Sequence, residues 1–304
     1  MENVYSGEKW GLVLSGGGAK GAYQIGVWQA MQECGLGDAI AGTSGASIGA
    51  LNAVLFAAGN IEKAVQAWKK VKLLTVFDME WSMIDGIEGF ALREGMINLI
   101  RNYVDYDKVK EYPYSVFCSI ARIIAKEQYV CEYYNVKGVS EEKLEQVLAA
   151  SSAMPVIYEA VMIDGAMYRD GGLCDNLPIR PLYEEGYRKM ILIGLDKDQK
   201  RLEKKFPDVE FWSVYPSHSL GDLDGTLNFR PDFISFCMKL GYRDGKRMFE
   251  AYKSGNVSES FLEMQAKADY DTIMAEMRRE KLEKSVDSNM KKLGGILERY
   301  HINL

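Results

Sequence analysis

The sequence predicts an α/β layered domain built on a mostly parallel β-sheet, followed by a helical C-terminal region. Three observations carry this expectation. Short apolar runs alternate with longer segments of helical periodicity through residues 10–217. Glycine clusters stand where two of those runs pass into helical segments. After Pro216 the strand-like runs stop and three- and four-residue apolar spacing takes over.

The elements follow in order. Residues 10–15 (Trp10-Gly11-Leu12-Val13-Leu14-Ser15) form a short apolar run ended by glycines, a buried strand. Residues 21–34 set Ala22, Ile25, Val27, Ala30, Met31 and Cys34 on a helical stripe that Gly35 and Gly37 stop. Residues 38–42 read as a short strand. Residues 47–58, rich in Ala, Leu and Val, read as a buried helix, and residues 61–71 as another. Between Leu73 and Phe90 the periodicity is lost, while Phe77, Met79, Trp81, Met83, Ile84, Ile87 and Phe90 crowd one stretch. A loop packed on the core is the first reading there, and a lipid-facing lid the alternative, since exposed apolar patches mark interaction sites. Residues 114–121 and 127–135 are strand-like. Ser140 with Glu141 and Glu142 opens a helix, a capping oxygen followed by acids at the positive helix end. That helix must stop before Pro155. Residues 162–168 form a hairpin that turns at Asp164-Gly165. Residues 190–195 and 209–215 are two more strands. Residues 196–205 carry five basic side chains and read as a solvated loop, with an anionic-lipid contact as the alternative. Residues 233–252 are helical. From residue 258 onward Leu262, Ala266, Tyr270, Ile273 and Met277, then Leu282, Val286, Met290 and Leu293, form a stripe expected to face the core. A membrane-surface or partner helix is its alternative.

Composition excludes several classes. Of 304 residues, 43 are acidic and 37 basic, giving a formal charge of −6, which argues against a phosphate-neutralising nucleic-acid binder. The polar start has no apolar segment of a secretory signal. No run approaches the ~18 apolar residues of a membrane span. The five cysteines, odd in number and without Cys-x-x-Cys spacing, read as unpaired thiols of a reducing, cytoplasmic compartment. Neither His218 nor His301 is placed to activate one of them as a nucleophile.

Three motifs carry chemistry. Gly16-Gly17-Gly18-Ala19-Lys20-Gly21, between a strand and a helix, fits two mechanisms. It can hold a pyrophosphate against the helix N-terminus, or present backbone N–H groups to an oxyanion. A dinucleotide site wants an acid about twenty residues on, closing the next strand. Asp38 is at that distance but precedes its strand. Gly45-Ala46-Ser47-Ile48-Gly49 has the form of a strand-to-helix elbow, whose small flanking residues let strand and helix approach. Ser47 is then the candidate nucleophile and the Ile48 N–H a further oxyanion donor. Ser44, with small residues on both sides, is the competitor. Asp170-Gly171-Gly172 offers a carboxylate that can serve as general base in place of histidine. Asp164-Gly165 shows that the dipeptide alone is not distinctive.

These motifs, in this order, resemble those of the patatin-like phospholipases, bacterial members in particular. The likeness rests on residues 11–23, on Gly45-Ala46-Ser47-Ile48-Gly49-Ala50-Leu51-Asn52-Ala53, and on Asp170-Gly171-Gly172-Leu173-Cys174-Asp175-Asn176-Leu177-Pro178-Ile179, with Ser151-Ser152-Ala153-Met154-Pro155 before the aspartate hairpin. One departure is that Gly42-Thr43-Ser44 precedes Gly45-Ala46-Ser47, which resembles a three-residue duplication or insertion and keeps Ser44 in view. The resemblance implies a three-layer α/β/α sandwich with a core over residues 10–183 and the sheet continuing to about 217, while the helical spacing after Pro216 makes 218–304 a helical region packed on it. It implies a phospholipase, lysophospholipase or esterase with Ser47 as nucleophile and Asp170 as base. Gly16, Gly17, Gly18 and Ile48 would form the oxyanion hole, with Lys20, Gly21, Gly45, Gly49, Gly171 and Gly172 as motif positions. Such chemistry needs no metal and no organic cofactor. The expected partner is a lipid or acyl-ester substrate, with peripheral membrane contact left open. A nucleotide-binding oxidoreductase using Gly16–Gly21, or a non-catalytic lipid binder of the same fold, are the alternatives.

Overall fold

The computed structural model describes residues 7–71, 100–155, 157–255 and 258–299. The irregular stretch over 73–90 and His301 lie outside the described residues. Strand β1 (Trp10–Leu14) explains the layering. Trp10, Leu12 and Leu14 enter the larger apolar cluster, while Val13 enters a second one with Leu177, Ile179, Leu182, Met190 and Leu192. Successive side chains of a strand point to opposite faces, so β1 is buried on both.

The other strands are β2 (Ile40–Ala46), β3 (Val116–Ala125), β4 (Gln128–Asn135), β5 (Val161–Ile163), β6 (Ala166–Asp170), β7 (Lys189–Ile193) and β8 (Glu210–Val214). They form one mixed sheet in the order β5-β6-β3-β2-β1-β7-β8, with β4 paired to β3 off this path. The run β3-β2-β1-β7-β8 is parallel. The β3–β4, β3–β6 and β5–β6 pairs are antiparallel. Helices flank the sheet: α1 (Ala22–Glu33), α2 (Ile48–Ala57), α3 (Ile61–Lys70), α4 (Tyr106–Glu111), α5 (Glu141–Ser151), α6 (Arg180–Glu184), α7 (Leu223–Thr226), α8 (Pro231–Ser254) and α9 (Glu259–Arg299). The α/β/α expectation holds, with a parallel centre and an antiparallel end.

Several boundaries differ from the sequence reading. Residues 37–39 form a 3₁₀ turn, and β2 runs on to Ala46 rather than ending at Gly42. Gly42, Thr43, Ser44 and Gly45 include poor strand formers, but they sit between β1 and β3, where ladder bonding on both sides outweighs propensity. Residues 197–205 coil in 3₁₀ turns with no buried residue, so the charges are solvated as expected although the segment is not a plain loop. The Ser140 hydroxyl caps α5 by accepting the Lys143 N–H at 3.2 Å. The hairpin turns at Asp164 and Gly165, whose φ values of 49° and 83° match a type I′ turn.

The C-terminal stripe is core-facing only in its first half. Ala266 and Ile273 are buried, whereas Leu282, Val286 and Met290 are exposed. In the second half α9 turns charged side chains toward α8, its antiparallel neighbour, where Glu276 and Glu280 pair with Lys239, and the apolar stripe faces away. Asp244 ties this region down from inside. It accepts Tyr23 Oη at 3.0 Å and the Ser217 N–H at 2.8 Å, and pairs with Arg247, which also pairs with Asp269 of α9. A buried carboxylate held by several donors is fully satisfied.

Candidate active site

Strand β3 brings the two motifs together. On one of its edges β2 runs parallel and ends with Ala46 opposite Ser119. On the same edge β6 runs antiparallel and ends with Asp170 opposite Ile120. The two strands meet head to head at adjacent positions of β3. Ser47, the next residue after β2, therefore faces Asp170. Its Oγ donates to Asp170 Oδ2 at 2.7 Å.

Ser47 sits between strand and helix with φ 53° and ψ −125°. A positive φ at a residue bearing a Cβ costs of order 1–3 kcal/mol and persists only where the surroundings enforce it. Here the enforcement is close packing. A Cβ on Gly45 would lie 2.2 Å from the Gly49 carbonyl oxygen, and one on Gly49 would lie 2.3 Å from that of Leu14. Strand and helix thus touch through backbone alone, and the turn between them has nowhere to relax. The Ser47 N–H donates to Ser151 Oγ at 2.9 Å, which donates in turn to the Ser119 carbonyl at 2.8 Å.

Asp170 is buried, with 4% of its surface exposed. Burial pushes its carboxyl up to about 6, against the lowering by the Ser47 hydroxyl and the Gly172 N–H. The Gly172 N–H donates to Oδ1 at 2.7 Å. Oδ1 is held by backbone and Oδ2 is left to the serine. A carboxylate raised into this range is a better proton acceptor than an ordinary aspartate.

The glycine loop lies across from this pair. Its base is fixed by a buried chain of side chains: Trp68 Nε1 donates to Asn52, Asn52 Nδ2 to Gln24, and Gln24 Nε2 to the Ser15 carbonyl, at 3.0, 2.8 and 2.7 Å. The Gly17, Gly18 and Ile48 N–H groups have no acceptor among the described residues. Gly16 differs. Its N–H donates to the Asn176 carbonyl at 3.1 Å, and its carbonyl accepts Asn176 Nδ2 at 3.3 Å. Its amide is engaged by the scaffold, which removes it from the expected donor set. Lys20 Nζ donates to the Gly221 carbonyl at 3.2 Å and fastens the loop to the segment before α7.

Ser47, Asp170, Gly16–Gly18, Lys20 and Gly172 share one cleft of about 360 Å³, completed by Met154, Leu173 and Leu195 among others. Ser44 does not reach it: the side chain is fully buried and its Oγ donates to the Pro178 carbonyl at 2.6 Å. His218 stacks on Tyr270 at 3.9 Å and is not among the lining residues. Asp38 precedes β2, at the end opposite the glycine loop, and Ser47 occupies the place where a ribose-binding acid would stand. Among the described residues no group of three or more His, Cys, Asp or Glu is placed to hold a metal ion. Ser151 and Asn176, which the sequence reading quoted but gave no role, hold the turn and the loop. The only signal for either was its place inside a motif.

A mixed sheet between helical layers, with a serine at a strand-to-helix turn and an aspartate as its partner, defines an α/β/α protein of the patatin type. Residues 12–183 match the family described as patatin-like phospholipase, and the chain belongs to it. It is similar to lysophospholipase NTE1 of Scheffersomyces stipitis, at 24% identity over 263 residues, covering 84% of this chain and 16% of that protein. It is also similar to lysophospholipase NTE1 of Saccharomyces cerevisiae, at 25% identity over 224 residues, covering 71% of this chain and 12% of the relative. The chain thus spans under a fifth of the length of these curated relatives. The crystal structure of VipD from Legionella pneumophila shares the fold, with a TM-score of 0.52 at 15% identity, over 94% of this chain and 77% of that one.

Proposed function

We propose that this chain is a lipid acyl hydrolase that cleaves carboxylic esters of phospholipids or lysophospholipids through a Ser47–Asp170 dyad and an acyl-enzyme. The observation that carries the reading is the 2.7 Å hydrogen bond from Ser47 Oγ to a buried carboxylate, at a turn held in a strained conformation. Family membership and two relatives named lysophospholipase support the substrate class.

In this mechanism the ester carbonyl enters the cleft with its oxygen toward the Gly17, Gly18 and Ile48 N–H groups. Asp170 takes the Ser47 proton as Oγ attacks the carbonyl carbon. The N–H groups hold the oxyanion, usually the largest catalytic contribution. The proton passes to the leaving alcohol, and a water activated by the same carboxylate clears the acyl group from Ser47. The catalytic core spans residues 10–183, and the helices of 218–304 form a region packed on it. Among the described residues no helix is long and apolar enough to cross a membrane. Free thiols at all five cysteines support a reducing, cytoplasmic setting.

Fluorophosphonate labelling and fatty-acid release from lysophosphatidylcholine test the reading. Ser47→Ala is expected to lose both. Ser44→Ala is expected to keep both and to lose about 1–3 kcal/mol of stability, because the Pro178 carbonyl loses its donor. Labelling that survives Ser47→Ala would overturn the nucleophile.

A further inference from the structure

Immediately after Asp170 the chain leaves β6 and crosses the face of β3. Gly171 makes the crossing: a Cβ there would lie 2.1 Å from the Ser119 carbonyl oxygen. The 3₁₀ turn Gly171–Leu173 then delivers Cys174 to the far side of β3, where β4 lies. Cys174 Sγ lies 3.5 Å from the Gly171 carbonyl and 4.0 Å from that of Ile120. On β4, Cys131 pairs with Ala121, and its Sγ lies 3.6 Å from Ser119 Oγ. The two thiols thus stand against adjacent residues of β3, Ser119 and Ile120. They line a second cleft, of about 370 Å³, together with Tyr133, Asp175, Arg180 and Lys205. Cys174 is exposed. The hydrolytic mechanism uses neither sulfur.

We propose that Cys131 and Cys174 form a dithiol modification site, which hydroperoxides oxidise to a reversible disulfide that withdraws the Asp170 turn from Ser47. The sulfurs divide the work unequally. The neighbouring Cys174 thiol first, and then the Ser119 hydroxyl 3.6 Å away, hold the Cys131 thiol below its ordinary range, against desolvation. The Cys174 thiol is pushed up, chiefly by the Cys131 sulfur beside it. Cys131 thus supplies the thiolate, the reactive form toward peroxides. Its sulfur attacks the near oxygen of the peroxide, the O–O bond breaks, and the departing oxygen leaves as water or alcohol after taking a proton. Cys131 is now a sulfenic acid. The Cys174 sulfur attacks it, gives up its proton and expels water as the S–S bond forms. Two electrons pass from the sulfur pair to the peroxide, and a dithiol reductant reverses the change.

The geometry links this site to the first one. A disulfide closes to about 2.05 Å, well inside the contact distance of two thiols. Cys131 lies on the β4 edge of β3 and Ser47 on the opposite edge, so closure draws residues 171–174 away from Ser47. The Gly172 N–H that holds Asp170 Oδ1 moves with them. Small misplacements of a reacting pair can cost up to about 10²-fold in rate.

The test uses the full chain, reduced and then exposed to hydrogen peroxide. Peptide mapping by mass spectrometry is expected to join Cys131 to Cys174. Hydrolysis of a p-nitrophenyl ester is expected to fall at least about fivefold and to return with dithiothreitol. Cys131→Ser and Cys174→Ser should each keep basal turnover and resist the peroxide. Absence of the Cys131–Cys174 link, or a link that leaves turnover within about twofold of the reduced protein, overturns the proposal. The effect on turnover rests on the hydrolase reading. The mapping needs no ester, so a failure of that reading shows separately, as a reduced protein without turnover.

Discussion

Asp170→Asn separates the cost of burying a carboxylate from its use. The asparagine can keep both contacts, with its oxygen accepting the Gly172 N–H and its amide donating to Ser47 Oγ. Only the charge is lost. In the unfolded chain the carboxyl ionises near its ordinary 3.8, whereas in the folded protein burial holds the proton until about 6. Between those values the folded state binds the extra proton, so stability falls as pH rises through this window and levels off above it. At about 1.4 kcal/mol per pH unit, the loss amounts to about 3 kcal/mol. Near pH 4 the two proteins should be similarly stable, and above about pH 7 the variant should be the more stable by about 3 kcal/mol. Urea or thermal midpoints across this range read the difference, and the remaining carboxylates cancel because both proteins share them. The variant should lose about 10²–10⁴-fold in hydrolysis, while the native rate should rise with pH around a midpoint of about 6. A stability difference that stays flat from pH 4 to 8, or one that favours the native protein at high pH, refutes the reasoning.

Two further outcomes follow from packing. Gly49→Ala drives a methyl group onto the Leu14 and Ser15 carbonyl oxygens, at 2.3 and 2.6 Å. A cost of about 3 kcal/mol is expected, read by thermal unfolding, together with loss of fluorophosphonate labelling as the turn relaxes. Asn176→Ala frees the Gly16 peptide on its side-chain face. It should lower kcat by about tenfold or more with KM little changed, since the loop amides then miss the oxyanion rather than the bound ester.

The serine turn was legible because its cause is local. Gly45 and Gly49 flank Ser47, and steric contact between them is the reason the turn is tight. The β5–β6 hairpin and the α5 cap were legible for the same reason, each set by two or three neighbouring residues. What stayed hidden depends on distance along the chain. Ser151 reaches Ser47 across 104 residues, and Asn176 reaches Gly16 across 160. No spacing rule announces such bonds, so Gly16 was read as a donor although its amide is engaged. Ser44 remained open on sequence because its identity is compatible with an elbow, and only the Pro178 contact removes it from the cleft. The end of β2 was misplaced because central strands are held by their neighbours on both sides, against the preference of glycine. The α9 stripe shows the reverse limit: periodicity states which side chains share a face but says nothing of which face the neighbouring helix meets, and near Lys239 that face is the charged one.

The convergence of β2 and β6 on consecutive residues of β3 has a mechanical consequence. The reacting side chains are referenced to a single rail at the heart of the sheet, not to two loops that drift independently. Helices at the periphery can tilt, lengthen or be exchanged to suit another headgroup while the spacing of the pair stays put. A one-residue slip anywhere along that rail would separate the partners however well every other part of the molecule were built.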